Sequence, residues 1–341
     1  MDKLIVLAEA PELEFDYLAD FQQHKKVRQN LFYTTEGAET FYTYRGAELA
    51  EICSDDECAF FARQPFWTAD RRIAFVSLGC GNAGPEKPLL QAANTVHSAG
   101  GPSVVYFGVD SSRTMLELAQ QNLAEEHFPK KFVLADFIRP DFVEKWRPHL
   151  AGFDTQVYAM LGGTFGNFEQ AVIAEALARI VPDGHYLYLD VVPQFDTPDK
   201  NEQLRNRLIH LPQNLSLFFI NLLEKLCIDQ AAGELVSEEI YEADVDALRY
   251  VVSFRVREPL EFPCFGGVVR CLPGEAIELM NVRAYKPAAL QKFMAGWGFR
   301  YLDTYTPDVG NLAHLWQRFL FQKNRTCGTA PIMKMIAGLS D

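Results

Sequence analysis

Positive charge is scarce in this chain. Its 341 residues hold 32 Lys and Arg against 45 Asp and Glu, a formal net charge of −13. Lys25-Lys26 is typical of its basic clusters, none of which exceeds a pair. Phosphate backbones and anionic lipid surfaces are gripped by clustered Lys and Arg, so neither nucleic acid nor a membrane is an expected partner. No apolar run reaches the length of a membrane span. The opening MDKLIVLAEAPELEFDY lacks the basic start, long apolar core and small-residue cleavage site of a secretory leader, so a cytoplasmic protein is expected. The seven cysteines (53, 58, 80, 227, 264, 271 and 327) are odd in number, scattered and without a C-x-x-C pair. That suits a reducing compartment better than a disulfide frame. The tightest pair, Cys53 and Cys58, has no histidine near it, and no metal site is expected. With 48% apolar and 23% charged residues, the chain has an ordinary globular balance and room for one large or two medium domains.

The stretch that organises the rest is Ile73–Leu90, IAFVSLGCGNAGPEKPLL. An apolar run of strand character breaks at Gly79-Cys80-Gly81, and PEKPLLQAA follows with helical character, its prolines confined to the first turn where they are tolerated. Strand, glycine turn and helix form the opening unit of a doubly wound sheet, in which glycine lets a ligand approach the backbone and the helix N-terminus offers free N–H groups. Gly79-x-Gly81-x-x-Gly84 fits either a dinucleotide or S-adenosyl-L-methionine. VVYFGVD then forms a strand ending at Asp110, where a carboxylate can take both ribose hydroxyls or cap the following helix, SSRTMLELAQQNLAEEHF. KKFVLADF ends at Asp136-Phe137, an acid for an exocyclic amine followed by a ring for stacking on adenine. FDTQVYAML runs into a second glycine-rich loop, Gly162-Gly163-TFGNF, carrying Asn167. The helix EQAVIAEALARIV and the strand HYLYLDVVP follow; Asp190 near the end of that strand is either a cap or a neighbour of the donor.

This alternation predicts α/β architecture with a mostly parallel sheet. After the helix PAALQKFMAGWGF, the strands YLDTYTPD and HLWQRFLFQK predict a terminal antiparallel hairpin, the usual ending of class I methyltransferases. Residues 194–284 break the alternation with the helical LSLFFINLLEKL and the strand-like LRYVVSFRV, GVVRCL and EAIELMNVRAY. They are expected to form an inserted α+β substrate subdomain, with 1–193 and 285–325 holding the cofactor and 326–341 a tail. Residues 9–29 look helical, the aromatics from Phe32 to Tyr44 suit either a packed helix or a substrate lid, and 54–72 read as a connecting segment.

From about Phe32 to Lys323 the chain resembles the histidine-specific N-alpha-methyltransferases of ergothioneine synthesis and their wider superfamily. The resemblance is carried by LGCG…EK at 78–87, Asp110, Asp136-Phe137, GGTFGNF at 162–168 and PGEAIELMNVRAY at 273–285. It implies a Rossmann-like fold and S-adenosyl-L-methionine as methyl donor, held by Gly79, Cys80 and Gly81 of the turn and by Lys87, Asp110, Asp136 and Phe137. It implies that Gly162, Asn167 and Tyr44 meet the acceptor. Two residues between Gly81 and Glu86 have no family counterpart, and Leu208 stands where the family uses a tyrosine. Met280 and Val282 occupy the positions of a glutamate and a serine that hold an imidazole ring. Neither side chain can accept an imidazole N–H, and each buried group left unpaired costs about 1–3 kcal/mol. The expected activity is N-methylation of a small amino-acid-like amine other than histidine. A nicotinamide-dependent oxidoreductase and a non-catalytic binder of the methyl donor are the alternatives.

Overall fold

A computed structural model of the protein describes residues 4–8, 21–22, 24–27, 53–68, 71–97, 103–195, 199, 201–202, 213–264, 267–306 and 316–324. Tyr44, Leu208 and most of the 9–29 segment lie outside them. The central sheet starts at β2 (Arg72–Leu78) and runs outward through β3 (Ser103–Asp110) and β4 (Lys130–Leu134) to β1 (Leu4–Val6), and on the other side through β5 (Thr155–Met160) to β6 (Tyr186–Pro193), all parallel. β13 (Gln317–Lys323) lies antiparallel against β6 and pairs on its other side with β12 (Phe299–Tyr305), forming the expected terminal hairpin.

Alternation along each strand sends its side chains to two cores. From β2, Ala74, Val76 and Leu78 enter one core, filled from that side by Trp146, Ile173, Leu177 and Met294, while Ile73 and Phe75 enter the other. The second core is covered by α1 (Asp55–Ala62), α2 (Glu86–His97) and α3 (Arg113–Asn122). α1 corrects the expectation of a plain connector. Ser54 caps it by accepting from Glu57 N–H, three acids occupy its first turn, and Phe60 and Phe61 are fully buried; such a cap and first turn favour a helix even over eight residues. The first core is closed by α4 (Phe142–Trp146), α5 (Gln170–Ile180) and α7 (Pro287–Gly296).

Between β6 and α7 lie α6 (Gln213–Lys225), the antiparallel strands β7 (Gly233–Glu242), β8 (Ala247–Val256) and β11 (Ala276–Tyr285), and the separate hairpin of β9 (Leu260–Cys264) with β10 (Gly267–Cys271). β13 covers β6 only as far as Val191; beyond it, Val192 and Pro193 pair in parallel with Ala284 and Tyr285 of β11. The end of β6 therefore joins the two sheets, and β11 is carried next to the loop that follows β5.

Candidate active site

The crevice at the carboxyl ends of β2, β3, β4 and β5 is built around two glycine turns. In the first, Gly79 and Gly81 have φ of +71° and +53°, a left-handed backbone that glycine adopts without strain. Most amides of this turn are already spoken for. Gly79 and Cys80 donate to Val109 carbonyl, Ala83 to Cys80 carbonyl, Gly84 to Asn82 Oδ1, and Gly81 to Asp110 Oδ2 at 2.9 Å. Asp110 also accepts from Ser112 N–H at 2.8 Å. Burial pushes its carboxyl up to about 6, against the lowering effect of these amide bonds. A pyrophosphate needs free N–H groups at a helix N-terminus. A ribose needs an acceptor, and the four lone-pair sites of a carboxylate exceed the donors found on Asp110 here.

Beneath this turn, Glu86 at the start of α2 is 1% exposed. Its Oε1 accepts from Ser77 hydroxyl at 2.5 Å, and its Oε2 is unpaired. Burial raises its carboxyl to about 7, opposed by the Ser77 hydrogen bond. Lys87 stretches its ammonium to the Asn122 carbonyl at 2.9 Å, at the carboxyl end of α3 where a cation opposes the helix dipole. Asp136, half-buried, accepts from Ile138 N–H at 3.1 Å. The Phe137 ring is buried edge-on to Phe168, with 5.8 Å between centroids.

The second turn, Gly162-Gly163, leads into a short 3-10 turn over Thr164–Asn167. Both glycines have positive φ, +71° and +78°, so their consecutive N–H groups converge as in an anion nest. The anion is internal: Asp190 takes Gly162 N–H at 2.6 Å and Gly163 N–H at 2.8 Å. Arg318, opposite Asp190 in the β6–β13 register, bonds Asp190 through Nη1 and Glu57 Oε1 through Nε at 2.5 Å. A side chain on Gly163 would reach to within 2.3 Å of the Trp316 indole.

The far end of the loop is pinned by β11. The fully buried Arg283 donates to both oxygens of Glu242 at 2.6 and 2.9 Å, to Phe168 carbonyl at 2.6 Å, to Gly166 carbonyl at 3.2 Å and to Asn281 Oδ1 at 2.9 Å. Burial works against the charge of Arg283, but hydrogen bonding by Glu242 leads the effects that leave its pKa raised. Asn281 Nδ2 donates to Asn167 carbonyl at 3.2 Å. Asn281 and Arg283 thus face the loop. Met280 packs instead against the apolar cluster around Phe219 and Leu279, and Val282 against Val192, Tyr250 and Ala284 with Trp316 alongside. Of the expected residues, Gly79, Cys80, Gly81, Asp110 and Asp136 come together at the crevice, Gly162 and Asn167 lie on the loop, and Met280 and Val282 line β11 beside it.

Sequence reasoning missed Glu57, Glu86, Asn281, Arg283, Trp316 and Arg318 as structural partners of the two turns. The one sequence signal was an arginine within a largely apolar strand, in ELMNVRAY and in LWQRFLF, where an unpaired charge could not persist.

A family model described as histidine-specific methyltransferase, SAM-dependent, matches residues 16–318, most of the chain. No protein of curated function matches it. Among solved structures, the chain is similar to an S-adenosylmethionine-dependent methyltransferase from Clostridium acetobutylicum (11% identity, 92% of this chain and 99% of that one, TM-score 0.38). It is similar also to the 1,6-didemethyltoxoflavin-N1-methyltransferase of Burkholderia thailandensis, solved with 1,6-didemethyltoxoflavin and S-adenosylhomocysteine (11% identity, 93% and 92% covered, TM-score 0.43). A third is the PH0226 protein of Pyrococcus horikoshii (13% identity, 85% and 99% covered, TM-score 0.43). The oxidoreductase alternative is overturned by the family match. The chain belongs to the SAM-dependent, histidine-specific methyltransferase family and is an S-adenosyl-L-methionine-dependent methyltransferase.

Proposed function

We propose that this enzyme N-methylates a small amino-acid-like amine with an apolar or aromatic side chain, and not histidine. The observation that carries the reading is the wall offered by β11. Met280 and Val282 stand where the family resemblance expects an imidazole-holding pair, and both pack among apolar side chains. The nearest carboxylate along that strand, Glu278, is tied to Lys26 at 3.1 Å and Arg249 at 3.2 Å. An imidazole would leave buried N–H groups unpaired on such a wall, whereas a hydrocarbon or ring would gain about 25 cal/mol per Å² buried.

S-adenosyl-L-methionine supplies an electrophilic methyl on a sulfonium when bound; Gly79, Cys80, Gly81, Asp110, Asp136 and Phe137 would hold it, with Lys87 acting from the flank. The attack is an in-line displacement, so positioning dominates. Asn167 and the Gly162 backbone would orient the acceptor's amino-acid end, with Tyr44 as a further contact. The nitrogen attacks as the neutral amine, and no residue is assigned as an obligatory base. In this reading 194–284 is the acceptor-shaping insert. The acidic net charge and free described cysteines support a cytoplasmic enzyme without a nucleic-acid partner.

The test is a panel of amino acids and amines with labelled methyl donor. An apolar or aromatic amino acid methylated on nitrogen faster than histidine is the expected result. Histidine outrunning every other acceptor overturns the reading of Met280 and Val282.

A further inference from the structure

The second glycine turn holds an anion-accepting nest that the protein fills from within. Its occupant is connected through Arg318 to α1, an element that precedes the glycine-turn unit and contributes no residue to the crevice described above. Asp190 is 0% exposed, Arg318 2% and Glu57 4%. Asp190 and Arg318 share the α1 face of the sheet with Tyr188 and Leu320, which is why Glu57 of α1 can meet Arg318. The order is fixed by charge: acid, base, acid, then two amides with partial positive charge. Each member is an acceptor or donor for the next, and Arg318 bonds both carboxylates.

We infer that Glu57, Arg318 and Asp190 are positioning residues for methyl transfer, acting through the Gly162 and Gly163 amides on the loop that presents the acceptor. The inference rests on the assignment of residues 162–168 to the acceptor. A core ion pair with a purely structural role would have no reason to spend both carboxylate oxygens on consecutive loop amides. Here the carboxylate dictates the direction of two peptide planes, and through them the path of the chain toward Asn167. The other end of the same loop is fixed independently by Arg283 and Asn281. Loss of the Asp190 contact therefore leaves the loop attached but free to turn at its first residues.

The experiment pairs Asp190→Asn with the milder Glu57→Gln in the full chain. Hydrogen exchange of the 160–166 segment is read by mass spectrometry, S-adenosyl-L-methionine affinity by calorimetry, and acceptor KM and kcat with the best acceptor of the panel. In Asp190→Asn, exchange at the loop is expected to rise about tenfold, the scale of one charge-assisted hydrogen bond lost. Glu57→Gln should move it in the same direction by less. Acceptor KM should rise, or kcat fall, by a similar factor while cofactor affinity stays within about twofold. Unchanged exchange in both variants overturns the inference, and so do equal losses in cofactor and acceptor binding. If Asp190→Asn does not fold, Glu57→Gln alone decides by the same readouts. Exchange is read without an acceptor, so a failed acceptor panel would sink the proposed function and leave the exchange result standing.

Discussion

Removing the Arg283 guanidinium tests whether β11 pins the second glycine loop. Arg283→Met keeps much of the side-chain volume and deletes five donated hydrogen bonds of 3.2 Å or less, two of them to Glu242 and two to the carbonyls of Gly166 and Phe168. Breaking one side of a buried ion pair costs about 3–5 kcal/mol, because the remaining charge is stranded. Glu242 keeps 18% of its side chain exposed and has a second cation, Arg249 Nε, at 3.5 Å, so water and Arg249 offset part of the loss and the lower end, about 3 kcal/mol, is expected. The assay is equilibrium urea unfolding of wild type, Arg283→Met, Glu242→Gln and the double variant. In the double variant the stranded charge is gone, and the two effects should miss additivity by at least about 1 kcal/mol. A single variant within about 1 kcal/mol of wild type, or strict additivity, would refute the reasoning that Arg283 is the pin.

Glu86 gives a pH dependence with a definite sign. Its folded carboxyl lies at about 7 against an ordinary 4.5, so it favours the folded state at low pH, and that contribution is lost as pH rises from about 4.5 through 7, at about 1.4 kcal/mol per pH unit or roughly 3 kcal/mol in all. Glu86→Gln should flatten the stability-versus-pH curve in that window, as followed by thermal melts; an unchanged slope counts against the buried, protonated acid. Asp110, raised to about 6, contributes in the same direction and remains in the variant. Gly163→Ala combines a left-handed φ of +78° with a Cβ 2.3 Å from the Trp316 ring. The backbone cost is about 1–2 kcal/mol before the clash is counted, and a melt within error of wild type would show that the indole moves aside freely.

The strand, turn and helix pattern was legible in the residues themselves because it rests on local rules. Apolar runs of strand length, glycine at positions of positive φ and serine or acid caps are decided within a few residues of chain. Hence Ile73–Leu90, the strand ending at Asp110 and the terminal hairpin were read from sequence, and the family resemblance supplied the methyl donor. Residues 54–72 were misread because aromatic density masked a helix whose Ser54 cap and acidic first turn were the local signal.

What the amino-acid order could not yield was which charges meet. Glu57 and Arg318 lie 261 positions apart, and Arg283 and Gly166 lie 117 apart. Their pairing follows from strand order and from which face each side chain takes. The sequence by itself determined an α/β protein with two glycine turns and acids at the ends of its strands. Only the packed sheet decided that carboxylates fill those turns from inside and that Met280 and Val282 turn toward apolar neighbours. The physical reason is that a buried charge has no fixed meaning until its partner is in place, and partners distant in sequence are brought together only by the fold.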